Sequence, residues 1–162
     1  MQPKIIPNLW FDTEAEEAAN YYVSVFGGDS RVLKKVHYNE AVPSRAGEVV
    51  TVEWELRGQR FVGINGGPQF KFDEAVSFQI DCEDQAEVDY YWEKLGEDGE
   101  HGPCGWLKDR YGLSWQVVPK VLDALLSDPD PERASRAMAA MLKMGKLDVA
   151  ELERAAADAA HV

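Results

Sequence analysis

Residues 11–28, FDTEAEEAANYYVSVFGG, return in altered form as residues 80–99, IDCEDQAEVDYYWEKLGEDG. At a shift of 69 positions and without a gap, Asp12 meets Asp81, Glu14 meets Glu83, Tyr21–Tyr22 meet Tyr90–Tyr91, and Gly27 meets Gly96. Asn20/Asp89 and Phe26/Leu95 are chemically similar pairs. Whatever the first copy folds into, the second must be able to fold into as well.

Each copy has the same plan. A strand comes first, KIIPNLWF or AVSFQI. Asp12 or Asp81 then precedes an acidic turn, where a side-chain oxygen can cap a helix and negative charge suits its dipole. The helices carry apolar stripes at helical spacing: Ala15, Ala18, Ala19, Tyr22 and Phe26 in the first, Val88, Tyr91, Trp92 and Leu95 in the second. Gly27 and Gly96 fall where a left-handed cap belongs. Three strands follow in the first copy, at 30–39, 47–56 and 60–66. The second copy is shorter, and only GWLKD and GLSWQVV stand out.

The hairpins align at a shift of 51, pairing Leu56 with Leu107, Arg57 with Lys108 and Asn65 with Gln116. On this reading both copies end their last strand with an amide. Alternation puts Ser114 and Gln116 on one face of that strand and Leu113, Trp115 and Val117 on the other. A polar side chain in so apolar a strand requires a hydrogen-bond partner or a ligand.

The expected architecture is therefore α+β: two βαβββ modules, about 1–67 and 68–119, forming one domain over 1–119, with a helical extension over 120–162. In the extension, KVLDALL reads as a short helix. SDPDPERASRAMAAMLKMG reads as a longer one ending at Gly145, and DVAELERAAADAA as a last one capped by Asp148. Met138, Met141, Leu142 and Met144 have the spacing of ordinary packing rather than of a cofactor lining. The extension is expected to cover a sheet edge or a partner subunit.

Charge narrows the partners. The net charge is -12, which repels nucleic acid and anionic membranes. No run approaches the roughly 18 apolar residues of a membrane span, and no secretory leader is visible. Cys82 and Cys104 are too few for a disulfide framework, so reduced thiols and a cytoplasmic protein are expected.

LWFDTEAEEAANYYVSVFGGDSRV, NGGPQFKFDEAVSFQIDCEDQAEVDYYWEKL and CGWLKDRYGLSWQVVP closely resemble the PhnB-like, or demethylubiquinone methyltransferase-like, proteins. These belong to the vicinal oxygen chelate superfamily, with glyoxalase I, extradiol dioxygenases and bleomycin-resistance proteins. DPDPERASRAMAAMLKMGKLDVAELE is similar to the tails of that family. The resemblance implies a glyoxalase-like curved mixed sheet with a cleft, and a homodimer. It also implies a divalent-metal site with ligands from the first and last strands of each module.

By position those ligands fall at Ile6 or Asn8, at Asn65, at Ala75, Ser77 or Gln79, and at Gln116, where metal-binding relatives carry Glu. None is His, Asp or Glu, and neutral amides bind divalent transition metals weakly. His37, His101 and His161 lie elsewhere. The expectation is a cleft with no metal and no cofactor. The methyltransferase label needs a glycine-rich loop entering a helix. The one candidate, NGGP, runs into a linker and a strand.

The candidate ligand-binding residues are Asn65, Gln116, Asn8, Gln79, Trp10, Trp106, Trp115 and Cys104. For Asn65 and Gln116 a structural role stands beside the ligand role. Trp10, Trp54, Trp106 and Trp115, with Tyr111 and Phe70, either pack a core or interface or build an aromatic pocket. Cys104 is a passive small residue unless His101, three positions earlier, activates it. Asp109 reads as a turn former, and Asp73–Glu74 as a solvated linker. The resulting expectation is a small-molecule binding protein of unnamed ligand. The alternatives are a metal-free isomerase, lyase or transferase, or a metal-dependent glyoxalase- or dioxygenase-like enzyme.

Overall fold

The structure is a computed structural model that describes residues 4–158, so His161 lies outside the described residues. The chain forms two compact units that divide after Phe72. The first contains β1 (Asn8–Phe11), α1 (Ala15–Phe26), β2 (Arg31–His37), β3 (Val49–Leu56) and β4 (Gln59–Asn65). Its sheet has the order β1-β4-β3-β2, with β1 parallel to β4 and the other pairs antiparallel.

The second unit contains β5 (Ser77–Cys82), α2 (Gln85–Gly96), β6 (Glu100–His101), β7 (Trp106–Lys108) and β8 (Ser114–Pro119). Its order, β5-β8-β7-β6, has the same pairing sense throughout. The βαβββ plan read from the repeat is thus present twice. The missing strand of the second copy survives as the two-residue β6.

One face of each sheet is covered by its helix. In the first unit Ala15, Ala18, Ala19, Tyr22 and Phe26 are buried, as their spacing predicts, beside Leu9, Phe11, Val52, Trp54 and Phe61. Trp54 stacks between Tyr22 and Phe61, with ring centroids 6.1 and 5.8 Å away. Gly63 makes this possible: a Cβ there would lie 2.9 Å from the Trp54 ring and 3.1 Å from the Ala15 Cβ. In the second unit Val88, Tyr91 and Leu95 cover Ile80, Cys82, Leu107, Trp115 and Val117.

The helix ends differ from the sequence expectation in three places. Asp12 and Asp81 are not the caps. Asp84, directly before α2, accepts a hydrogen bond from Glu87 N at 3.0 Å, while α1 has no cap from its own preceding residue Glu14. Gly27 has the left-handed φ of 59° that suits glycine, but Gly96 is still helical and does not. Gly96 instead leaves room for the His101 ring, whose Nε2 would lie 2.0 Å from a Cβ.

The extension packs within the second unit as α3 (Val121–Leu126), α4 (Pro131–Met141) and α5 (Val149–Ala157). Leu122, Leu147 and Leu152 form its core, with Met141 and Met144 packed against them. Asp148 caps α5 as expected, accepting from Glu151 N. The longer helix stops at Met141 rather than Gly145, because residues 142–145 turn to meet the loop before β7. There Met144 O and Gly145 O accept from Cys104 N and Gly105 N, each at 2.8 Å. Gln85 fastens the other side: its Oε1 accepts from Val149 N and its Nε2 donates to Leu147 O.

Candidate ligand site

The two amides that the sequence aligned sit on opposite faces of their sheets. In β4 the buried positions are Phe61, Gly63 and Asn65, so Asn65 faces α1. In β8 the alternating buried positions Trp115, Val117 and Pro119 share one face, which leaves Gln116, with the buried Ser114, on the face away from α2. Shifting a strand by one residue exchanges its faces, and the 51-residue alignment carries such a slip.

Asn65 is 5% exposed and its amide is satisfied at both ends. Its Oδ1 accepts from Ala15 N at 2.9 Å, supplying the cap that Glu14 does not, and its Nδ2 donates to Val49 O at 3.1 Å. Its own carbonyl accepts from the Tyr38 hydroxyl at 2.8 Å. Trp115 is also directed inward. Its Nε1 donates to Asp109 Oδ2 at 2.9 Å, while Tyr111 N and Leu113 N donate to Asp109 Oδ1. Asp109 is the expected turn former, and it is buried at 2% exposure.

The face of the second sheet away from α2 carries two cross-strand rows. Register partners share a face, so Glu100, Lys108, Ser114 and Ser77 form one row, and Trp106, Gln116 and Gln79 form the next. Gln116 Nε2 donates to Ser77 Oγ at 2.9 Å, and Gln79 Nε2 to Asp81 Oδ1 at 2.8 Å. On the first sheet Trp10 Nε1 donates to Gly67 O at 2.9 Å and its ring meets Phe70 edge-on, while Asn8 Nδ2 donates to Ile6 O.

A cavity of about 510 Å³ opens on the second unit. Trp106, Pro103, Leu107 and Cys104 give it an apolar wall, and Lys108, Glu74, Glu100 and Ser114 give it a polar one. Lys108 Nζ and Glu74 form an ion pair. That hydrogen bond holds the Glu74 carboxyl below its ordinary pKa and the Lys108 ammonium above its own. Ser114 is 1% exposed, and its Oγ finds no hydrogen-bond partner among the described residues. Of the eight candidate residues, Trp106 and Cys104 line this cavity, and Gln116 and Gln79 stand beside Trp106 in the adjacent row.

The sequence reading missed Ser114, Lys108, Glu74 and Glu100. Ser114 had a signal, since alternation already placed it with Gln116. Glu74 had none, because its partner is 34 residues away and the contact depends on how the linker runs. His101 does not activate Cys104: its ring stacks on Trp92 at 4.5 Å and its Nε2 donates to Trp92 O at 2.8 Å. The other thiol, Cys82, is buried, and burial pushes its pKa up to about 12, so it is no nucleophile at neutral pH.

A divalent metal does not fit these residues. The uncovered face offers the amides of Gln79 and Gln116 and the hydroxyl of Ser77, and Glu74 at the cavity is tied to Lys108. Among the described residues no three His, Cys, Asp or Glu side chains converge on a point, with Glu100 or elsewhere. A cradle for S-adenosylmethionine is not formed either. Gly66–Gly67 lead into a turn and an extended linker, and Gly66 leaves room for the Trp10 ring.

The paired βαβββ topology defines a member of the vicinal oxygen chelate superfamily. Within it, residues 3–118 match the family described as 3-demethylubiquinone-9 3-methyltransferase, and the chain belongs to this PhnB-like family. The match ends before α3, so the extension lies outside it. A PhnB protein from Bacillus cereus is 34% identical, with a TM-score of 0.63 over 72% of this chain and 99% of its own. A Pseudomonas aeruginosa protein is 18% identical, with a TM-score of 0.57 over 73% of this chain and 98% of its own. The fosfomycin resistance protein FosX from Listeria monocytogenes, solved with Mn(II) and sulfate, is 14% identical at a TM-score of 0.50, over 72% of this chain and 91% of its own. None of the curated proteins matches. Among the described residues, no helix is long and apolar enough to cross a membrane.

The different burial of the two amides gives a direct comparison. Asn65→Leu leaves Ala15 N and Val49 O unpaired and is expected to cost about 2–4 kcal/mol in urea unfolding. Gln116→Leu is expected to stay within about 0.5 kcal/mol of the parent. Equal losses would mean that the two amides have the same role after all.

Proposed function

We propose that this protein binds a small apolar or aromatic molecule in the second-unit cavity, without a metal. The observation that carries this reading is the buried Ser114 hydroxyl, left without a partner at the wall of a cavity that also presents Trp106. A buried polar group without a partner is costly, and a ligand atom removes that cost. An apolar wall with a few convergent polar groups is the usual composition of a small-molecule site.

Binding is favoured over catalysis by the state of the groups available. A general acid, base or nucleophile must be free to act. Lys108 and Glu74 hold each other with Glu100 also acting on Lys108, His101 is engaged with Trp92, and Asp109 is held by the hairpin. The fold of FosX, solved with Mn(II), shows that this scaffold can host a metal. On this chain's second sheet Glu74 is held by Lys108 and the donors beside Glu100 are amides and hydroxyls, which favours a metal-free site over one of that kind.

Calorimetric titration with 4-methylphenol tests the site. The parent protein is expected to bind it, and Trp106→Ala to bind it at least about tenfold more weakly through loss of the aromatic wall. Equal affinity in the two would place the site elsewhere, and one equivalent of divalent metal found by elemental analysis of the same sample would contradict the metal-free reading.

We further propose that the protein is a cytoplasmic homodimer, as the family resemblance implies. The first sheet supports the dimer: Leu33 and Val36 of β2 are exposed apolar side chains. Sedimentation at micromolar concentration is expected to give twice the 18.2 kDa chain mass, and a monomer mass would remove the claim.

A further inference from the structure

We infer that the second-unit cavity selects an aromatic ligand that carries a hydroxyl group and no negative charge. This rests on the reading of that cavity as the ligand site, and it adds the chemical class of the ligand.

Three features of the wall set the class. Trp106 offers a ring face or edge beside the apolar Pro103 and Leu107, which suits a flat aromatic body. Ser114 Oγ is buried and without a partner among the described residues, and a serine hydroxyl can give or accept a hydrogen bond, so a ligand hydroxyl, which can do either, matches it in both orientations. The charged groups are two carboxylates, Glu74 and Glu100, against the single ammonium of Lys108. Glu74 already engages that ammonium and Glu100 also acts on it, so one cation faces two carboxylates and the rim keeps a net negative charge.

The other titratable groups at the cavity or acting on Lys108 do not reverse this balance. His101 is turned to the Trp92 carbonyl. Asp73 adds a further negative charge acting on Lys108. Like-charge juxtaposition opposes an anionic ligand, and the chain's net charge of -12 opposes its approach.

The two signals are independent. The orphaned hydroxyl predicts a hydrogen-bonding group on the ligand whatever its charge. The carboxylate excess predicts the charge whatever the ligand bonds to. The Lys108–Glu74 pair links them, because it engages Lys108, the cross-strand partner of Ser114, and withholds its ammonium from an incoming anion.

Three probes with one phenol ring and different tails separate these ideas: tyramine, cationic; 4-hydroxyphenethyl alcohol, neutral; and 4-hydroxyphenylacetate, anionic. Calorimetric titration is expected to show the first two binding at least about tenfold more tightly than the third at low salt. Glu100→Gln is expected to narrow that gap. Ser114→Ala is expected to weaken the neutral probe about tenfold while raising the melting temperature of the ligand-free protein, because it removes a buried unpaired hydroxyl. A lowered melting temperature would show that Ser114 serves the fold and would overturn its role here. Equal or tighter binding of 4-hydroxyphenylacetate would overturn the charge selection and leave the ligand site standing. If none of the three binds at millimolar concentration, the site reading falls and the inference with it.

Discussion

The amide of Asn65 holds together three parts of the first unit that the backbone alone leaves open. It caps α1 through Ala15 N and meets the start of β3 through Val49 O. Its carbonyl takes the Tyr38 hydroxyl, which also accepts from Arg45. A helix needs its first N–H groups satisfied, and Glu14, the residue directly before α1, does not do this. The second unit solves the same problem locally, with Asp84. Its last strand is then free to be apolar on the covered face, where Trp115, Val117 and Pro119 stand. The asymmetry between the copies follows from where each finds its helix cap.

That asymmetry also determines what the second sheet can do. Relieved of structural duty, the uncovered face of β8 carries Ser114 and Gln116 beside Trp106 and Lys108. The loop that completes the cavity is held by the extension. Cys104 sits at a φ of 57°, a conformation that few residues other than glycine adopt, and Met144 O accepts its N–H. Gly105 next to it could not be replaced freely, since a Cβ there would lie 2.8 Å from Val117 O. The turn between α4 and α5, which lies outside the family match, therefore shapes the wall of the proposed site.

Most of the architecture was legible from the repeat, because helical spacing and strand alternation are direct consequences of backbone geometry. The buried stripe of α1 and the Asp148 cap of α5 were read correctly for that reason. The face of Asn65 was not legible, because aligning two hairpins of different loop length leaves the register free by one residue. The turn of the first hairpin is Arg57–Gly58, while the second is a longer loop organised by Asp109. Burial of Trp115 followed from the same Asp109, whose hydrogen bond to the indole no local pattern announces. The Lys108–Glu74 pair and the orphaned Ser114 hydroxyl depend on tertiary packing alone.

The chain has five tryptophans, so its indole N–H signals report on each region separately. The most direct test is a proton–nitrogen correlation spectrum recorded while 4-hydroxyphenethyl alcohol is added. The account predicts that the Trp106 indole signal moves with saturation, while Trp54, locked in the first core, and Trp115, bonded to Asp109, hold their positions. A Trp106 signal that stays fixed while Trp10 or Trp115 moves would contradict it.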